Sequence, residues 1–175
     1  MKNNLLCLDF DDCIYPSPSP TRWCNKEIAL STLSLNFKKL DLFLENNNAS
    51  VFITSSWSCL FDYYKDTKMI VAKDTVKHNW DQDNHEGFDT ERQAYNIMIN
   101  HLNGKIVGIS QGNRDKDIIE LAKHYDKIVV FDDFDLSDTC DQFDNVYFER
   151  VTGCLNNDIL WRSDNFFNNK KIIHE

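Results

Sequence analysis

Two runs of apolar residues in this chain lead straight into acid, and a third leads into hydroxyls. Leu5 to Leu8 runs into Asp9-Phe10-Asp11-Asp12, Val51-Phe52-Ile53 into Thr54-Ser55-Ser56, and Lys127 to Phe131 into Asp132-Asp133. Three carboxylates within four positions repel one another, and desolvating them is costly unless something positive sits among them. Asp commonly ends strands in turns, and this chain has 21 Asp in 175 residues, so either acidic pair alone carries little weight. Both pairs directly behind apolar runs, with hydroxyls behind a third run between them in sequence, make a more specific pattern. Such oxygen donors suit Mg²⁺, a hard ion that usually keeps several waters. Asp9, Asp11, Asp132 and Asp133 are therefore the candidate metal set.

The elements that would carry these residues alternate. Leu5 to Leu8 has the continuous apolar character of a strand buried on both faces of a parallel sheet. Tyr15 to Thr21 holds all three prolines and reads as a loop. Leu30, Leu33, Phe37, Leu40 and Leu44 recur at steps of three and four, predicting a helix from about Asn25 to Glu45. Val51 to Ile53 is the second strand, and a helical signal follows over Leu60 to Lys65, then a short strand at Met69 to Ala72. Thr90 to Leu102 reads as helix, Lys105 to Ser110 as strand, Asp115 to His124 as helix, Lys127 to Phe131 as strand, and Val146 to Val151 as a last strand. A turn at Gly153 precedes a short helix from about Asn157. This alternation predicts an α/β fold over residues 1–175, a Rossmann-like, mostly parallel sheet with helices on both faces. Residues 65–103 form a small insertion, minimal cap or lid within it. In open sheets of this kind ligands gather at the carboxyl ends of the strands, where all three polar runs fall.

Composition narrows the functions available. A formal net charge of −9 disfavours extended contact with nucleic acid or an anionic membrane. No apolar run approaches the roughly 20 residues that span a bilayer. Six cysteines, at 7, 13, 24, 59, 140 and 154, lack the close paired spacing of a zinc site. With no basic stretch followed by an apolar one at the N-terminus, the expectation is a reduced, cytoplasmic protein.

The order strand-DxD, strand-Thr/Ser, cation at a helix start, strand-DD resembles the haloacid dehalogenase (HAD) superfamily of phosphotransferases. More narrowly, LCLDFDDCI, FITSSW, RDKDI, VVFDD and VTGCLNND fall in the order seen in the HAD domain of Swiss Army Knife RNA-repair proteins. The likeness covers most of the chain. It departs at Asp12 and Cys13, where the family usually has Gly and then Thr or Val, although Asp tolerates unusual backbone conformations better than most residues.

The resemblance implies a Mg²⁺-dependent phosphatase working through an aspartyl-phosphate. Asp9 would be the nucleophile and Asp11 the acid and base, its side chain kept off the metal in that role. Asp132 would complete the metal site, with Asp133 a direct or water-bridged ligand. A hydroxyl, Thr54 or Ser55, and a cation, Lys116 or Arg114, would stabilise the phosphoryl oxygens. The substrate class implied is a phosphorylated small molecule, a nucleotide or a nucleic-acid end. Trp57 or Trp80 offers a stacking face, and Lys65, Lys68, Lys73 and Lys77 a local cationic rim. A binding or regulatory protein that keeps the fold without turnover is the rival function, but binding alone has no need of Asp11. His78 and His85 read as a solvated loop before they read as a second metal site. Trp23 and Trp161 read as core or lid residues. Cys13 has no histidine nearby in sequence to make it a thiol nucleophile.

Overall fold

The computed structural model describes residues 3–10, 12–14, 26–55, 58–59, 61–73, 93 and 96–169. Five strands, β1 (Asn4–Leu8), β2 (Ala49–Ile53), β5 (Ile106–Ile109), β6 (Lys127–Asp132) and β7 (Val146–Arg150), form one sheet in the order β5-β2-β1-β6-β7. All four pairings are parallel. A second, two-stranded sheet is the antiparallel hairpin of β3 (Phe61–Tyr64) and β4 (Met69–Ala72). The helices are α1 (Lys26–Asn47), α2 (Arg114–Leu121), α3 (Ser137–Cys140) and α4 (Asn157–Phe167), and residues 96–102 are also helical. The α/β class and the parallel sheet flanked by helices thus agree with the sequence.

The continuous apolar strands have their physical reason in this layering. β1 is buried along its whole length, and its residues divide between two cores according to the period of two that a strand imposes. Leu6 and Leu8 join Phe37, Leu40 and Leu44 of α1, Ile159 and Phe167 of α4, and Met98. Leu5 and Cys7 join Ile128 and Val130 of β6, Ile118 of α2 and Cys140 of α3. A sheet covered on both faces needs apolar residues at every position of its central strands.

One expectation is overturned. The helical signal over Leu60 to Lys65 belongs to strand β3, with Leu60 itself outside the described residues. Phe61 and Tyr63 face inward and Asp62 and Tyr64 outward, a period of two that four residues are too few to distinguish from one helical turn. The partner decides it: Phe61 pairs with Ala72 and Tyr63 with Ile70 across a turn at 65–68, where Lys68 takes φ 52°. The hairpin is tied to the body. The Ile70 N–H donates to the side chain of Asn103 at 2.8 Å, the Gly104 N–H to the Lys68 carbonyl at 2.9 Å, and Phe61 and Ile70 sit in the first core. Residues 74–92, the middle of the expected insertion, lie outside the described residues, as do Tyr15 to Thr21.

Smaller differences concern boundaries. α1 runs two residues beyond Glu45, and α2 begins at Arg114 and ends at Leu121. The short α3 carried no periodic signal. Among the described residues no helix is long and apolar enough to cross a membrane, and the cysteines there are free.

Candidate active site

Numbered along the main sheet alone, the strand order is 3-2-1-4-5, and it reverses direction between β1 and β6. A crevice opens at such a switch point beyond the carboxyl ends of the strands. Asp9 directly follows β1 and Asp132 is the last residue of β6. The two edges are stitched by backbone: the Asp9 N–H donates to the Phe131 carbonyl and the Thr54 N–H to the Leu8 carbonyl, both at 3.0 Å. Residues separated by more than a hundred positions are thereby fixed side by side.

Asp9, Asp132 and Asp133 each offer a carboxylate oxygen, all within 4.8 Å of one another. Asp9 and Asp132 are buried, Asp132 completely, and Asp133 partly. Arg114, the first residue of α2, bridges the first two: one nitrogen donates to Asp132 Oδ1 at 2.5 Å and the other to Asp9 Oδ1 at 3.4 Å. The N–H of Phe134 also donates to Asp132 Oδ1, at 2.9 Å. The second oxygen, Asp132 Oδ2, is buried with no hydrogen-bond partner among the described residues.

The electrostatics follow from this crowding. Burial pushes the Asp9 carboxyl up to about 7 against the opposing pull of Arg114. Asp132 pushes it further in the same direction, while the Ser55 hydroxyl and the Phe10 N–H hold it back. Burial likewise raises Asp132, opposed by the Phe134 N–H and Arg114 and assisted by Asp133. Among the described residues Arg114 bonds two of the three carboxylates, Asp132 and Asp9.

The sequence candidates separate here. Arg114, not Lys116, reaches the carboxylates; the Lys116 side chain is exposed, and its backbone N–H serves the helix by donating to the Asn113 side chain at 3.0 Å. The Ser55 hydroxyl hydrogen-bonds Asp9. Thr54 is also buried, and its Oγ1 has no partner among the described residues. Asp12 takes φ 53°, a left-handed turn residue where its short polar side chain is tolerated. That turn is pinned from the far side, as the N–H groups of Gly153 and Leu155 donate to the carbonyls of Asp12 and Cys13 at 3.0 and 2.8 Å. Cys13 is buried, and burial together with Asp9, Asp132 and Asp133 holds its thiol well above its ordinary range. It supplies no thiolate near neutral pH.

Asp11, Trp23, Trp57, Lys77, His78, Trp80 and His85 lie outside the described residues. Lys65 and Lys68 fall in the hairpin turn, and Lys73 donates to the Cys59 carbonyl at 2.8 Å. Trp161 is 57% exposed on α4.

Two contributors escaped sequence reasoning. Arg150 lies in register with Asp132 across β6 and β7, and its Nε donates to the Asp133 carbonyl at 3.1 Å. Phe134 holds Asp132 through its backbone. Strand register identifies the first, and no residue pattern announces the second.

The donor set fits a hard divalent ion. Oxygens around Mg²⁺ lie about 3 Å apart when adjacent and about 4 Å when opposite, and the three carboxylates here come within 4.8 Å of one another. Arg114 and Phe134 occupy Asp132 Oδ1 and leave Oδ2 for a ligand. Compared with known proteins, the chain matches no family model, no curated protein and no solved structure.

Proposed function

We propose that the protein is a Mg²⁺-dependent phosphomonoester hydrolase of the HAD type, acting through an aspartyl-phosphate on Asp9. The observation that carries the reading is the buried Asp132 Oδ2, with no partner among the described residues, beside Asp9 and Arg114 at the switch point of the sheet. An unsatisfied buried acceptor costs about 1–3 kcal/mol, and a bound cation beside Asp9 and Asp133 would satisfy this one.

Asp9, Asp132 and Asp133 would hold Mg²⁺, which when bound supplies the positive charge that lets one anion approach another. The chain's own residues do the rest. An Asp9 oxygen attacks phosphorus, forming the acyl-phosphate bond as the ester P–O bond breaks, and the departing oxygen takes a proton from Asp11. Asp11 then removes a proton from water, whose oxygen attacks the same phosphorus and breaks its bond to Asp9, releasing inorganic phosphate. Ser55 and Arg114 hold the Asp9 carboxylate by its oxygens, and Arg114 adds positive charge where the phosphoryl oxygens would lie. The role of Asp11 follows from the resemblance. The substrate class is a phosphorylated small molecule, a nucleotide or a nucleic-acid end.

The test is hydrolysis of an aryl phosphate by the purified chain with Mg²⁺, with chelator, and by Asp9→Asn. Activity should vanish with chelator and return with Mg²⁺. Asp9→Asn, nearly isosteric, should lose at least about a thousandfold in kcat, or about 4 kcal/mol of barrier lowering, with the fold retained. Substantial turnover by that variant would remove Asp9 from the mechanism.

A further inference from the structure

We propose that Phe134 is the wall of a leaving-group subsite that selects phosphoryl compounds bearing a flat aromatic group, an inference that rests on reading Asp9, Asp132 and Asp133 as a phosphoryl site. Phe134 follows the acidic pair directly and is 66% exposed, more than any other large apolar side chain among the described residues. A single exposed Phe is ordinary on a protein surface. This one differs in what surrounds it. It lines an open depression of about 430 Å³ whose other lining residues include Gly112, Arg114, Asp115, Asp133 and Leu136. That volume lies within the roughly 300–1,000 Å³ of small-molecule pockets.

The depression therefore has two chemical characters. Arg114 and Asp133 belong to the charged site, and Phe134 and Leu136 are apolar. A phosphate ester has the same division, an anionic head and a leaving group of separate polarity. Leu136 is 2% exposed and packs in the second core, so the core at this corner is filled without Phe134. The Phe134 backbone is not free either, because its N–H is held by Asp132 Oδ1 at 2.9 Å. The ring is thus attached to a backbone held beside the residue that would hold the metal. Aromatic rings pair best offset or edge-to-face with other rings, whereas a small alkyl group would leave most of this ring wet.

Equilibrium binding separates this proposal from the catalytic one. Phenylphosphonate and methylphosphonate share the anionic head, and hydrolysis of phosphate esters does not cleave their carbon–phosphorus bond, so turnover does not enter. With the full chain and Mg²⁺, calorimetry should show wild type favouring phenylphosphonate by about tenfold, or about 1.4 kcal/mol. Phe134→Ala should cut that preference at least about fivefold, and Phe134→Tyr should keep it. The Asp132 contact uses the backbone N–H and survives both changes. A smaller cut in Phe134→Ala overturns the subsite, including the case in which wild type shows no preference or binds neither ligand. Equal losses for both ligands overturn it as well. Failure to hydrolyse aryl phosphates would instead overturn the phosphatase reading and leave the binding preference to be judged by itself.

Discussion

Asp9 and Asp132 are buried carboxyls whose protons the folded protein holds more tightly than the unfolded chain does. An unfolded Asp titrates near 3.9, whereas Asp9 in the fold titrates at about 7 and Asp132 shifts in the same direction. Between those values the folded state binds more protons at these two groups, so without metal the stability they contribute is fully present below about pH 4 and is lost as pH rises toward 7. Asp135 and Glu120 are shifted downward, Asp135 by Ser137 and Glu120 by Lys123 and His124, and act in the opposite sense at lower pH. A divalent ion needs the carboxylates deprotonated, so its stabilisation grows across the same window. In chelator, thermal melts should show Tm declining between about pH 5 and 7.5, and Mg²⁺ should raise Tm more at the higher pH. Asp9→Asn, lacking the buried charge, should be more stable than wild type in chelator at about pH 7.5. A Tm indifferent to Mg²⁺ at that pH would count against the metal site.

The elements set the cation. Arg114 reaches the carboxylates because α2 begins at it, and the start of α2 is tied to the end of β5. Ser110, just past β5, donates to Asp117 at 2.5 Å and accepts from the Gly112 N–H at 3.0 Å. β5 in turn depends on a close approach to β2. Gly108 pairs with Phe52, and a Cβ at Gly108 would lie 2.6 Å from the Phe52 ring. Gly108→Ala should therefore destabilise the protein by about 1–3 kcal/mol, through displacement of that ring. Adding Phe52→Leu should cost less than the sum of the two single changes, with a coupling of about 0.5 kcal/mol or more. Urea unfolding of the four proteins measures it, and strict additivity would mean that the ring is not the obstacle.

At the scale of the whole molecule, charge decides how substrate arrives. A net charge of −9 repels a polyanion at long range, while a phosphatase site of the proposed kind would need only one phosphoryl group. If a 3′-phosphorylated oligonucleotide is a substrate, only the one terminal phosphate need be neutralised and few counterions are released. Its kcat/KM should change by less than about threefold between 50 and 200 mM salt, where a protein making many phosphate contacts loses about 10³ or more in affinity. A steep fall would reveal an extended basic track that the composition argues against.

What could be read from the sequence alone is local in origin. Apolar runs of three or four residues ending in acid or hydroxyl marked the strands and the three polar ends, because burial on both faces leaves a strand few alternatives. Helical spacing marked α1, and the resemblance supplied an order of motifs. Three aromatic residues and one Asp at 61–64 could not announce a strand, since their partner β4 decides it. The choice of Arg114 over Lys116 likewise depended on α2 starting at Arg114 beside the switch point. Ser55 became the hydroxyl on Asp9, and Arg150 the support of Asp133, only through strand register. Secondary structure is written in the periodicity of neighbours, whereas a site assembled from β1, β2, β6 and α2 exists only once pairing and packing bring distant carboxylates within a few ångströms.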